Sequence, residues 1–172
     1  MKTLILSIAL MILLLSVKAN AQYEWTGLQY HYQTGSVPPP YYFEYDIYIS
    51  PTGSGSIAYH GGYETDTTRK DYNSDFNISS DDLAALDEQI QNSGVLTDNF
   101  EELVKHPIGG SMNKVYITMP QDPRLDHKPP RIETPYFPKS KKQKAALGKL
   151  YEKIRSLVPQ TIWDEIEKLK NK

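Results

Sequence analysis

Tyrosine and histidine are the side chains with the most chemical reach in this 172-residue chain, and their placement is uneven. Ten of the 13 tyrosines lie between Tyr23 and Tyr72. An exposed tyrosine offers a large contact area, a polar tip and a low entropy cost on immobilisation, which suits recognition of a protein or a sugar. Tyrosine is equally a good strand former, so rings at this density serve a core as readily as a ligand. The histidines, His31, His60, His106 and His127, are scattered, with no H-x-x-x-H, no H-E-x-x-H and no cysteine partner. A transition-metal site takes two or more such ligands fixed on one element or on neighbouring strands. Only His31 and His60 fall where two histidines could meet across a sheet, and no metal is expected.

The parts for other chemistry are missing as well. No G-x-S-x-G occurs, and with no cysteine there is no thiol nucleophile. Asp66, Asp71 and Asp75 fail the spacing of a calcium loop and enclose Arg69 and Lys70. Gly61-Gly62 and Gly109-Gly110 lack the following helix and lysine of a phosphate loop. The adjacent acids Asp81 and Asp82 belong at the positive end of a helix dipole rather than in a catalytic pair. No catalytic residue and no cofactor is expected.

The elements that must position the tyrosines are legible from periodicity. Residues 23 to 34 read as a first strand with Leu28, Tyr30 and Tyr32 on one face and Gln29, His31 and Gln33 on the other. The segment "PPPYYFEYDIYIS" alternates cleanly, setting Tyr41, Phe43, Tyr45, Ile47 and Ile49 toward a core and Tyr42, Glu44, Asp46 and Tyr48 toward solvent. The turn "SPTGSG" and the return "SIAYHGGY" complete a hairpin. A polar stretch of looser strand or loop follows, then Phe76 and Ile78 at strand spacing. By this pattern Tyr42, Tyr48 and Tyr63 are exposed and available to a partner.

Ser79 begins the strongest helix start in the chain, with Asp82 in capping-box relation, a stripe of Leu83, Leu86 and Ile90, and Gly94 as the stop. Phe100 to Lys105 fits a short helix or a strand equally. "NKVYITM" reads as a strand with Val115, Ile117 and Met119 inward. Residues 120–138 hold six prolines in 19 positions and predict a long extended loop without regular structure. Its Arg124, His127, Arg131 and Tyr136 are candidate contact residues. Residues 140–171 predict two helices. Leu147, Leu150, Tyr151, Ile154 and Leu157 form the stripe of the first, Ile162, Trp163, Ile166 and Leu169 that of the second, with a bend at Pro159.

Residues 1–21 have the layout of a secretory signal peptide: a charge at Lys2, an apolar run from Leu4 to Val17, and Ala19 and Ala21 flanking Asn20. A run of that length is too short to span a bilayer core of roughly 30 Å, and cleavage after Ala21 is expected. Residues 22–172 then form one domain, free of any membrane span and exported to the periplasm or beyond. A domain without disulfides in an oxidising compartment depends on packing alone, a habit more familiar in bacteria than in animals. Residues 22–138 carry 7 Lys/Arg against 17 Asp/Glu, and residues 139–172 carry 10 against 4. The economical reading of this asymmetry is a basic C-terminal region, opening with Lys139 to Lys144, packed over its own acidic body. An exported chain with a net negative mature charge is a poor nucleic-acid binder.

The run "PPPYYFEYDIYISPTGSGSIAYHGGY" followed by "FNISSDDLAALDEQIQNSG" resembles small exported bacterial α+β domains with a hairpin ahead of a leucine-rich helix. More distantly, over residues 35 to 105, it is similar to emfourin-type inhibitors of thermolysin-like metalloproteases. That resemblance implies protein binding without catalysis, and it assigns no site residue. The expected fold is therefore α+β: an antiparallel sheet of four to six strands with the Ser79 helix and two C-terminal helices on one face. The expected function is a non-catalytic exported binding protein whose partner is another protein, with a protease inhibitor as its specific form. Three alternatives stand: a hydrolase whose carboxylates converge only in the fold, a carbohydrate binder, and a structural envelope protein with its basic helix start on anionic lipid.

Overall fold

The computed structural model describes residues 23–38, 41–67, 69–105, 109–124 and 128–170. The expected signal peptide, His106 and His127 lie outside the described residues. Among the described residues six strands, β1 (Gly27–Gln33), β2 (Phe43–Ile49), β3 (Ser54–Gly61), β4 (Lys70–Asn77), β5 (Met112–Thr118) and β6 (Arg131–Glu133), and three helices, α1 (Ser80–Ser93), α2 (Lys141–Ser156) and α3 (Gln160–Lys170), make an α+β fold. The strands form one antiparallel sheet in the order β4-β3-β2-β1-β5-β6. The first four strands are a meander. The chain then runs through α1 and adds β5 and β6 beyond β1. No helix among the described residues is long and apolar enough to cross a membrane.

Period-two patterning decides which face is covered. Leu28 and Tyr30, Tyr45, Ile47 and Ile49, Ile57 and Tyr59, Phe76, and Val115 and Ile117 are all buried on the same face. They join Leu83, Leu86 and Ile90 of α1, Leu147, Leu150 and Ile154 of α2, and Ile162 and Ile166 of α3 in a single core. Each apolar helical stripe has the i, i+3/i+4 spacing that lets a helix lie on a sheet. The β2–β3 hairpin turns on Gly53, whose φ of 91° would strain any side chain, and closes by its N–H donating to the Ser50 carbonyl at 3.1 Å.

The helix boundaries follow the predicted caps. Ser79 Oγ accepts from the Asp82 N–H at 3.1 Å, and Gly94 ends α1 at φ 74°. Pro159 precedes α3 and its carbonyl accepts from Ile162 at 3.0 Å, so the missing proline N–H costs nothing at that position. The basic C-terminal helices do pack against the acidic body: Lys153 reaches Asp82 at 3.1 Å and Lys139 reaches Glu101 at 2.8 Å. Lys70 donates to the Leu169 carbonyl at 3.1 Å, a cation at the negative end of α3.

Three expectations need correction. The proline-rich stretch is not wholly irregular, since Arg131–Glu133 pairs with β5 through Tyr116↔Glu133 and Thr118↔Arg131. Pro130 immediately precedes this short strand at the sheet edge, a position where a missing N–H is tolerated. Phe100 to Lys105 forms neither a helix nor a regular strand; Glu102 makes an isolated bridge with Pro138. Finally, Tyr41 is 71% exposed and Tyr42 only 9% exposed, the reverse of the alternation read from sequence. β2 begins at Phe43, so the two preceding residues do not share its pleat.

Candidate functional site

Because α1, α2 and α3 lie on one face, the other face of the sheet is built from the alternate residues of every strand. The register maps it in rows. One row crosses the sheet as Asp75, Ser56, Tyr48, Gln29, Tyr116 and Glu133. The row toward one end carries Asn77, Ser54, Gly27, Thr118 and Arg131, and the row toward the other carries Asn73, Ala58, Asp46, His31 and Lys114. Small residues at Gly27, Ser54, Ser56 and Thr118 leave a wide, open trough of about 780 Å³ beside Tyr48, Tyr116, Arg131 and Asp75. A side chain at Gly27 would meet nothing closer than Thr118 at 3.9 Å, so the floor is open there.

The polar side chains of this face hold one another in a directed chain. His31 Nδ1 lies 3.1 Å from Asp46 Oδ1, and Gln29 Nε2 donates to the same oxygen at 2.9 Å. Gln29 Nε2 also lies 3.3 Å from the Tyr48 hydroxyl, while Gln29 Oε1 accepts from Arg131 Nη2 at 2.7 Å. An ionised carboxylate only accepts and a guanidinium only donates, so this pair of neighbours permits a single orientation of the Gln29 amide. Arg131 Cζ in turn lies over the Tyr116 ring, 3.9 Å from its centroid, a cation–π contact. Lys114 sits 5.0 Å from the rings of both Tyr116 and Tyr136 and bonds Glu133 at 2.8 Å.

Electrostatics follow from these contacts. The hydrogen bond to Asp46 carries the His31 imidazole above its ordinary value, against a smaller opposing effect of burial. At Asp46 burial works against the ionised form, but the hydrogen bonds from His31 and Gln29 together hold the carboxyl below the usual range. Burial, with the nearby Asp46 charge, raises the Tyr48 hydroxyl. His60 Nδ1 pairs with Asp71 at 2.8 Å on the far side of β2, so His31 and His60 each have their own carboxylate and do not converge. Among the described residues no cluster of three metal-ligating side chains occurs.

Of the seven residues predicted from sequence, His127 lies outside the described residues and the other six separate into distinct places. Tyr48, 44% exposed, and Arg131 stand together in the trough. Tyr136 lies nearby, against Lys114. Tyr42 and Tyr63 are instead stacked on each other at 4.0 Å, with the Tyr42 hydroxyl donating to Glu44 at 2.8 Å and the Tyr63 hydroxyl to the Val37 carbonyl at 2.7 Å. Their expected exposure is therefore corrected: Tyr42 is buried and Tyr63 half-buried, because the rings close the sheet corner on each other. Arg124 is exposed and paired with Asp122 at 2.8 Å, away from the trough lining. Gln29, Tyr116 and Asp75 were not singled out from sequence. Gln29 had a signal, since it opposes Tyr30 in the first strand's alternation, but nothing local tells that Tyr116 and Arg131 are neighbours across a strand pair.

Compared with protein-family models and with curated proteins, the chain matches no family and no relative.

Proposed function

We propose that this chain is an exported, non-catalytic binding protein that engages another protein through the helix-free face of its sheet. The observation that carries this reading is the trough on that face, where Tyr48 and Tyr116 stand on either side of β1 among small polar residues. Two strand spacings set the backbones of these tyrosines about 10 Å apart. Rigid amphipathic rings beside Ser, Thr and Gly are what recognition surfaces use, since the rings lose little entropy and the small residues admit a partner. Asp75 is the one carboxylate among the described residues lining the trough, whereas glycoside hydrolysis uses two; this favours binding over hydrolysis. The resemblance read from the sequence to emfourin-type inhibitors makes thermolysin-like metalloproteases the first partners to try.

The test is affinity capture from periplasmic and culture extracts with the mature chain and its Ser56→Arg variant. Ser56 faces Tyr48 across the β2–β3 pair, so an arginine there fills the trough without touching the core. Loss of a specifically captured protein by Ser56→Arg, with an unchanged thermal midpoint, is the expected result. Capture that survives Ser56→Arg would move the binding surface elsewhere.

A further inference from the structure

Arg131 is the one cation among the described residues lining the trough. Among the described residues no carboxylate forms an ion pair with it, while Glu133, two residues on, is engaged by Lys114. Its guanidinium is nevertheless held in place, from below by the Tyr116 ring and from the side by Gln29 Oε1 at 2.7 Å. Gln29 is itself fixed by Asp46, and Asp46 by His31. One guanidinium N–H goes to Gln29 and the remaining donors of its five are not taken by any described acceptor. At the other end of the same amide, the Tyr48 hydroxyl can accept from Gln29, which leaves its own hydrogen to donate. Two donor groups thus flank one amide.

We infer that the Arg131 end of the trough is a receptor for an acidic side chain of a protein partner, with the Arg131 guanidinium as the cation and the Tyr48 hydroxyl as the second donor. This rests on the reading of the helix-free face as a protein-binding surface. Charge complementarity selects an anion, and preorganisation makes it worth selecting: a guanidinium already held by stacking and by a neutral acceptor loses little freedom on binding. Length selects a polypeptide over a free anion. From Arg131 on β6 to Asp75 on β4 the face spans five strand spacings, about 24 Å, the reach of roughly seven extended residues. Its floor of Gly27, Ser54, Ser56 and Thr118 would admit such a segment, with Asp75 at the far end to accept an N–H or a cation.

The probe is acetyl-glutamate N-methylamide, with acetyl-glutamine N-methylamide, inorganic phosphate and glucuronate beside it, followed by NMR of the Gln29 side-chain amide and the Arg131 Nε–H. Saturable shifts at millimolar glutamate amide, at least tenfold weaker for the glutamine amide and absent in Arg131→Gln, are expected. Equal response to the two amides, or shifts that persist in Arg131→Gln, would overturn the inference. So would phosphate or glucuronate binding tenfold tighter than the glutamate amide, which would mark a free-anion site. Capture separates this from the broader reading: partner lost by Ser56→Arg but kept by Arg131→Gln sinks the carboxylate receptor and leaves the protein-binding face standing. Partner kept by both variants sinks both.

Discussion

Strand β2 presents two surfaces that differ only in which residues of the same alternation they use. On one side Tyr45, Ile47 and Ile49 are buried under the helices; on the other Glu44, Asp46 and Tyr48 face the trough side. Tyrosine is common to both, and its surroundings set its chemistry. Burial pushes the Tyr45 hydroxyl up to about 12, and Tyr30 beside it, which donates to Asn113, higher still. These rings are core residues with a satisfied polar tip. Tyr48 keeps an exposed ring and a hydroxyl that a partner can reach. A sheet covered on one face only therefore divides a single residue type into structural and recognition uses, without any change in sequence character.

The sharpest way to test that division is to truncate on each side of β2. Ile47→Ala, at a fully buried position, is expected to cost about 2–5 kcal/mol, because lost transfer energy and a residual cavity add. Tyr48→Ala, one residue away, is expected to stay within about 0.5 kcal/mol, as surface substitutions usually do. Urea denaturation of both variants reads the difference, and equal losses would refute a one-sided core.

Two glycines sharpen the contrast by addition. A Cβ at Gly55, on the covered face, would come within 2.4 Å of the Phe76 ring. Gly55→Ala is expected to destabilise by about 1–3 kcal/mol through overpacking. Gly27→Ala, on the open face, meets only Thr118 at 3.9 Å; its thermal midpoint should hold, while the methyl narrows the trough and weakens partner binding.

The smallest effect expected is a pH dependence confined to the open face. His31 has a raised value in the folded chain, so its contribution to stability is full below about 6.5 and is lost as pH rises through the folded value. Asp46 has a lowered value, so its contribution is present above about 3.9 and is lost as pH falls through the folded value. Lys114 and Glu44 face the same imidazole from β5 and β2. In Asp46→Asn the His31 titration followed by NMR should move down, and the upper pH slope of stability should flatten. An unmoved His31 midpoint would show that Asp46 is not its partner.

The two C-terminal helices, the Ser79 cap, the Gly94 stop and the inward sets of β1, β2, β3 and β5 were legible in the sequence because each is a local pattern. A helix stripe or a strand alternation needs only the residues within it. The misreadings share one cause. Tyr41 and Tyr42 precede the pleat, and Arg131–Glu133 becomes a strand only because β5 offers it an edge, so neither outcome is encoded in its own neighbourhood. The candidate site was half legible: Tyr48 and Arg131 were singled out, for exposure and for a place in a proline-rich segment, but Gln29, which holds them 19 and 102 residues apart in sequence, was not.

By itself, then, the sequence determined an α+β chain with an aromatic-rich antiparallel sheet and helices amphipathic enough to need it, since periodicity and capping act over a few residues. It also determined that the acidic body and the basic C-terminal helices would attract. Which face the helices cover together, and which side chains meet on the face left open, was decided only by the strand order β4-β3-β2-β1-β5-β6. Placing β5 beside β1 is a long-range pairing that follows from the whole core closing at once, and it alone brings Tyr116 and Arg131 to Gln29 and Tyr48.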